Sequence, residues 1–285
     1  MLENPCFSPR TDMAIEAHSL WQGNAENNNI LKGVDVSKSS INGLEVCEIS
    51  ILDEEGERSL GKARGKYFSL SLPENFYRGS EYFASASEAV AELINKLTPN
   101  INGTVLIAAL GNPDITPDAL GNITASHLLV TAHLSKNEFP QFSDLAVCRP
   151  GVLGTSGIES SVQIKAICDT IKPELVIVVD ALSGADVEHL CRSIQISDAG
   201  ISPGSGVRNN RKEFSRQIFG IPVISIGMPT VIDAGFFAGE EFNGMFVTPR
   251  NIDSQVRNGA KLIAYGINLA LHKGITISDI DALIS

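Results

Sequence analysis

Two uninterrupted apolar stretches fix most of what this chain can fold into. Val105-Leu-Ile-Ala-Ala-Leu110 and Leu175-Val-Ile-Val-Val179 lack polar alternation. That is the pattern of strands covered on both faces, as in a parallel sheet. Each stretch leads into an aspartate. Gly111-Asn-Pro-Asp-Ile-Thr-Pro-Asp118 follows the first, and Asp180 stands directly after the second. Ligands of open parallel sheets bind in the crevice at the carboxyl ends of the strands. Asp118 and Asp180 are therefore the candidate acid and base for a hydrolytic reaction.

The rest of the chain supports an α/β layered sandwich, with a mostly parallel or mixed central sheet flanked by helices. Leu44–Leu52 alternates apolar and polar residues, Asp53-Glu-Glu-Gly56 reads as a turn, and Gly65–Leu72 returns. This is a β-hairpin or meander, a small β-rich subdomain inserted at about 44–72. Helical spacing is expected over 85–97, after Thr116-Pro117, over 156–171 (ending before Lys172-Pro173), near 212–218 and over 252–273. Strands are expected at 105–110, 175–179 and 221–226, with helices between them. Residues 1 to about 40 are polar, with Asn24–Asn29 as a solvent-facing break, and Thr11-Asp-Met-Ala-Ile-Glu-Ala17 reads as a capped helix start or an extended segment.

Composition excludes several classes. With 285 residues, 43% of them hydrophobic, the chain buries a large core without staples. No stretch of about 18 apolar residues predicts a membrane span, and the first residues lack the pattern of a secretory signal. Five scattered cysteines with no CxxC pair argue against a disulfide framework and a zinc site, and for a cytoplasmic setting. A net charge of −11 argues against direct nucleic-acid binding. No cofactor motif is present, and no metal is assigned.

Each candidate has a plainer reading. Thr116-Pro117-Asp118 also fits a helix start, with Asp118 favoured by the helix dipole. Asp180, at the end of a buried run, needs a partner, water or a role. Gly204-Ser205-Gly206 with the basic Arg208–Lys212 fits a loop that binds an anion or a substrate backbone, or a tight turn. The Gly154 and Gly157 amides precede a helix and suit an oxyanion, or simply cap it. No nucleophilic triad emerges. Asp114, Asp118, Asp180 and Asp198 leave a metal-dependent hydrolase open, and a non-catalytic peptide-binding scaffold is a further alternative.

Taken together, TDMAIEA (11–17), GNPDITPDALGN (111–122), TAHL (131–134), RPGVLGTSGIESS (149–161), VVDALS (178–183), IQISDAGISPGSGVRNNRKE (194–213) and GIPVISIGMPTVIDAG (220–235) resemble the germination proteases of spore-forming bacteria. The resemblance is strong over about 103–235 and slight in the last 50 residues. It implies a fold like that of the hydrogenase-maturation proteases and an atypical aspartic endopeptidase that degrades small acid-soluble spore proteins. The two catalytic aspartates correspond to Asp118 and Asp180. The resemblance also implies a zymogen that cuts itself near Asp12–Met13, giving residues 1–12 as a propeptide and 13–285 as the protease domain. A homotetramer in the spore core is implied as well. The chain departs from the common pattern at Pro113-Asp114, Asn122, Ala132 and Ser183-Gly184.

Overall fold

The computed structural model describes residues 11–24, 31–98, 101–134, 137–207 and 211–284. Most of the expected propeptide and solvent-facing break, and Arg208 of the basic cluster, lie outside them. The elements run α1 (Ala14–Asn24), β1 (Val34–Ile41), β2 (Leu44–Ile51), α2 (Glu54–Leu60), β3 (Gly65–Ser71), α3 (Glu81–Leu97) and β4 (Val105–Ala109). They continue with α4 (Leu120–Ala125), β5 (Leu145–Cys148), α5 (Leu153–Ser156), α6 (Ser160–Ile171), β6 (Leu175–Gly184) and β7 (Ser193–Ser197). The last are α7 (Arg216–Phe219), β8 (Val223–Asp233), β9 (Phe246–Val247), α8 (Ile252–Leu271) and α9 (Ile277–Ile284).

The strands form one mixed sheet in the order β1-β2-β3-β7-β8-β6-β4-β5, with β9 paired to β8. Pairing is parallel at β4–β5, β4–β6 and β6–β8. It is antiparallel through β1, β2, β3, β7 and β8 and again at β9. The apolar runs at 105 and 175 are thus adjacent parallel strands at the centre of the fold, and the meander at 44–72 extends the same sheet.

Side-chain alternation sorts the core onto two faces. Val105, Ile107, Leu175, Ile177, Val179, Ile224 and Ile226 share one cluster with Leu93, Ile94, Leu120, Leu262 and Ile263, so α3, α4 and α8 cover that face. On the other face the cover is divided. Leu106, Ala108, Val176 and Val178 pack with Ile164 of α6 and with Phe214 and Phe219, whereas Ala14 of α1 and Leu60 of α2 pack with Ile49, Ile51 and Tyr67. Between these two groups lies the middle of the sheet, where Asp180, Gly227 and Gln195 occupy one lateral row. Residues in one such row project to the same face. The gap in the second face is the ground plan of the site.

Several elements differ from the sequence reading. Asp53 opens helix α2 rather than a turn, because its carboxylate caps the amides of Glu55 and Gly56, each at 2.9 Å. The expected helix over 156–171 is broken at Gly157, whose φ of 69° ends α5, and resumes at Ser160. The helix near 212–218 shrinks to α7. β1 and α9 were not expected: β1 is an edge strand exposed along its whole middle, so it carries no alternation to read.

Candidate active site

Asp180 does not stand at the end of its strand. β6 continues through it to Gly184, with a register irregularity between Leu182 and Ser183. Its side chain shares the parity of Val176 and Val178 and so faces the gap, 5% exposed. One carboxylate oxygen accepts the N–H of Ala181 at 3.0 Å. Burial, reinforced by the nearby carboxylates of Asp118 and Asp12, pushes its pKa well above the usual carboxylate range.

Asp118 reaches the same place from the neighbouring strand. Leu110 still donates to the Val179 carbonyl at 2.9 Å. The chain then reverses at Gly111, whose φ of 96° favours glycine. A Cβ on Gly111 would lie 1.8 Å from the Asp118 carbonyl oxygen, so the 111–118 loop closes only around glycine. Asp118 lies in a 3₁₀ turn spanning Thr116–Asp118, and its carboxylate accepts the Asn112 N–H at 2.8 Å. The cap position falls to Ile115 rather than Thr116, whose hydroxyl donates to Asp253 at 3.0 Å. Burial raises the Asp118 pKa too, but the Asn112 amide and the Arg211 charge oppose the shift. The two aspartates therefore differ: Asp118 has a cation and an amide favouring its ionised form, and Asp180 has neighbouring carboxylates that disfavour its own.

Both aspartates border a cavity of about 570 Å³. Val152, Leu153, Phe214, Phe246 and Val247 give it an apolar wall, and Arg211 and Lys212 line it as well. Gly204 also lines it, but Gly154 and Gly157 are absent from its lining and belong to the exposed α5 turn. Asp114 is exposed, and Asp198 accepts the Lys66 N–H at 2.7 Å, so neither of them joins the Asp118–Asp180 pair in lining the cavity.

The gap is bridged by the chain's own segment 11–14. The Asp12 carboxylate accepts the Ser205 hydroxyl at 2.6 Å and the Gly206 N–H at 2.9 Å through one oxygen, and the Ser183 N–H at 2.8 Å through the other. The Asp12 N–H in turn donates to the Ser183 carbonyl at 2.8 Å. Gln195 brackets Met13, its Nε2 donating to the Asp12 carbonyl at 3.0 Å and its Oε1 accepting the Ala14 N–H at 2.7 Å. Lys62, half-buried, donates its Nζ to the Thr11 carbonyl. Met13, Ala14 and Ala17 are 0% exposed. Ser205 and Gly206 thus hold the chain's own Asp12 carboxylate.

Sequence reasoning missed Lys62 and Gln195. Gln195 left the clearest trace, as a polar residue inside the apolar Ile194–Ile196. Lys62 left none.

Comparison with known proteins adds to this geometry. The family model described as germination protease matches residues 12–241. The germination protease of Caldanaerobacter subterraneus subsp. tengcongensis is 33% identical over 96% of this chain and 98% of that relative. That of Clostridium tetani is 32% identical over 98% of this chain and the whole of the relative. That of Oceanobacillus iheyensis is 40% identical over 80% of this chain and 65% of the relative.

Proposed function

Given that the chain belongs to the germination protease family, we propose that it is an endopeptidase in which Asp118 and Asp180 activate water, made as a zymogen that cuts its own Asp12–Met13 bond. The single observation that carries this reading is the pair itself: two carboxylates, delivered by adjacent strands, border one cavity beside a bound segment of peptide. Two carboxylates brought together share a proton more readily than both ionise. Asp118, favoured as the anion by Arg211 and the Asn112 amide, takes a proton from water as the water attacks the peptide carbonyl. Asp180, favoured as the acid by burial, hydrogen-bonds the carbonyl oxygen and later protonates the leaving amine. The pair titrates as a unit, and its apparent pKa values belong to both residues.

Self-cleavage is supported by what holds residues 11–14. The Asp12 side chain is fixed by three donors, and the carbonyl of the Asp12–Met13 bond is held by Gln195. A donor already aimed at that oxygen suits the charge that develops on it during attack. The family resemblance supports small acid-soluble spore proteins as substrates, a homotetrameric assembly and a place in the spore core. No helix among the described residues is long and apolar enough to cross a membrane.

The test is cleavage of a purified small acid-soluble spore protein by the processed chain. Asp118→Asn and Asp180→Asn should each lower the rate by about 10²–10⁴-fold, the usual contribution of a positioned acid or base. A single variant that keeps its rate would remove the pair from the mechanism.

A further inference from the structure

Thr230 of β8 is 1% exposed, yet it belongs to no pair in the ladder that joins β8 to β6. Leu182 stands opposite Pro229 and Ser183 opposite Val231, so Thr230 is one extra residue in β8. Such a bulge is rare between parallel strands and re-aims a side chain. Here the Thr230 hydroxyl donates to the Pro117 carbonyl at 2.7 Å, and both residues line the cavity of the two aspartates. The Pro117 oxygen belongs to the peptide bond that enters Asp118. The other end of that bond is held as well, since the Asp118 N–H donates to the Ile115 carbonyl at 2.8 Å. With its oxygen and its N–H both fixed, the peptide plane is held, and so is the direction in which Asp118 leaves the backbone. The anchor stands on the strand beside that of Asp180, whose own partner in the ladder is Gly227 of β8. The bulge is braced in turn, because the Thr230 carbonyl accepts the Thr248 hydroxyl at 3.0 Å.

We propose that Thr230 is a positioning residue of the dyad: through the Pro117 carbonyl, its hydroxyl sets the Asp118 carboxylate against that of Asp180. The proposal rests on the protease reading above, and it gives Thr230 no contact with the reacting atoms. Displacing a reacting group by about 1 Å costs roughly 10²-fold in rate, so loss of the hydroxyl registers first in kcat. It also loosens the coupling between the carboxylates. The charged groups that share the cavity with Asp180 are Asp12, Asp118, Glu159, Arg211 and Lys212, and the proposed cut removes Asp12. Of those left, Asp118 reinforces the effect of burial on Asp180. Once displaced it does so less, and Asp180 then gives up its proton at lower pH.

The experiment follows cleavage of a purified small acid-soluble spore protein by the processed chain across pH, with Thr230→Val and Thr230→Ser beside the wild type. Thr230→Val keeps the branched shape and removes the donor. It should lower kcat by about tenfold or more, change KM by less than about twofold, and move the descending limb of the kcat profile to lower pH by about half a unit. Thr230→Ser keeps the donor and should return kcat and the limb to near their wild-type values. An undiminished kcat in Thr230→Val, a lower kcat with the limb in place, or an equal loss in Thr230→Ser overturns the proposal. Thr230→Ala, which removes the donor with less bulk, takes over with the same outcomes if Thr230→Val does not fold. Asp118→Asn and Asp180→Asn separate this result from that of the protease reading. If either keeps the wild-type rate, the dyad has failed by itself, and carboxyl NMR titration of Asp180 then decides the positioning: a lower midpoint in Thr230→Val upholds it and an unchanged one overturns it.

Discussion

Asp118 and Asp180 carry the same side chain and differ only in surroundings, and that difference has a consequence for stability. A carboxylate whose folded pKa is raised binds more protons when folded than when unfolded. Its contribution is neutral below the unfolded value near 3.8 and turns unfavourable as pH rises above that value. Asp180→Asn removes the buried charge and keeps an oxygen for the Ala181 amide. It should therefore melt above the wild type at pH 7, with the gap closing as pH falls towards 4; thermal unfolding across that range checks it. Both aspartates were legible because each follows an apolar run that must end in the core. Their partners were not. Asp12, whose carboxylate stands near Asp180, and the Ser183 amide that it accepts lie 171 residues apart in sequence, and no local pattern announces that an aspartate before α1 will be held at the end of β6. The helix-start reading of Asp118 holds in part: Thr116–Asp118 forms a short 3₁₀ helix with Pro117 in its first turn, but the Asp118 carboxylate turns back to Asn112 across the loop that Gly111 permits.

At the scale of elements, long periodic segments declared themselves and short or exposed ones did not. The spacing of Leu93, Ile94, Leu262 and Ile263 reflects helices α3 and α8, which bury one stripe each against the sheet. α2 has seven residues and α7 four, too short for a period to register. Close approach between elements rests on individual glycines. Gly121, the second residue of α4, packs against the two central strands, and a Cβ there would lie 2.5 Å from the carbonyl oxygens of both Leu110 and Val179. Backbone cannot yield as a side chain does, so Gly121→Ala should destabilise the protein by about 1–3 kcal/mol, measurable by denaturant unfolding. Gly206 plays the corresponding part in the loop over the site. A Cβ there would lie 2.7 Å from the Asp12 carboxylate and 2.6 Å from the Ser183 Cβ. Gly206→Ala should dislodge Asp12 and slow self-cleavage while leaving the melting temperature close to that of the wild type.

For the molecule as a whole, function follows from how one sheet is covered. One face is closed by α3, α4 and α8, and the other is shared between α6 and the α1–α2 pair with the Asp180–Gly227–Gln195 row left between them. The alternation of apolar runs and helices made the α/β class legible, and the motif order made the family legible. The divided second face was not, because it depends on the antiparallel joining of β7 to β8, which sets Gln195 level with Gly227 and Asp180. Segment 11–14 lies across that division and brings Asp12 to the cavity that Asp118 and Asp180 line. The most direct measurement is the mass of the purified full-length chain during incubation, with N-terminal sequencing of any product. The wild type should give a product beginning at Met13, and Asp118→Asn and Asp180→Asn should each stay uncut. A product beginning at Met13 from either variant at the wild-type rate would contradict the account.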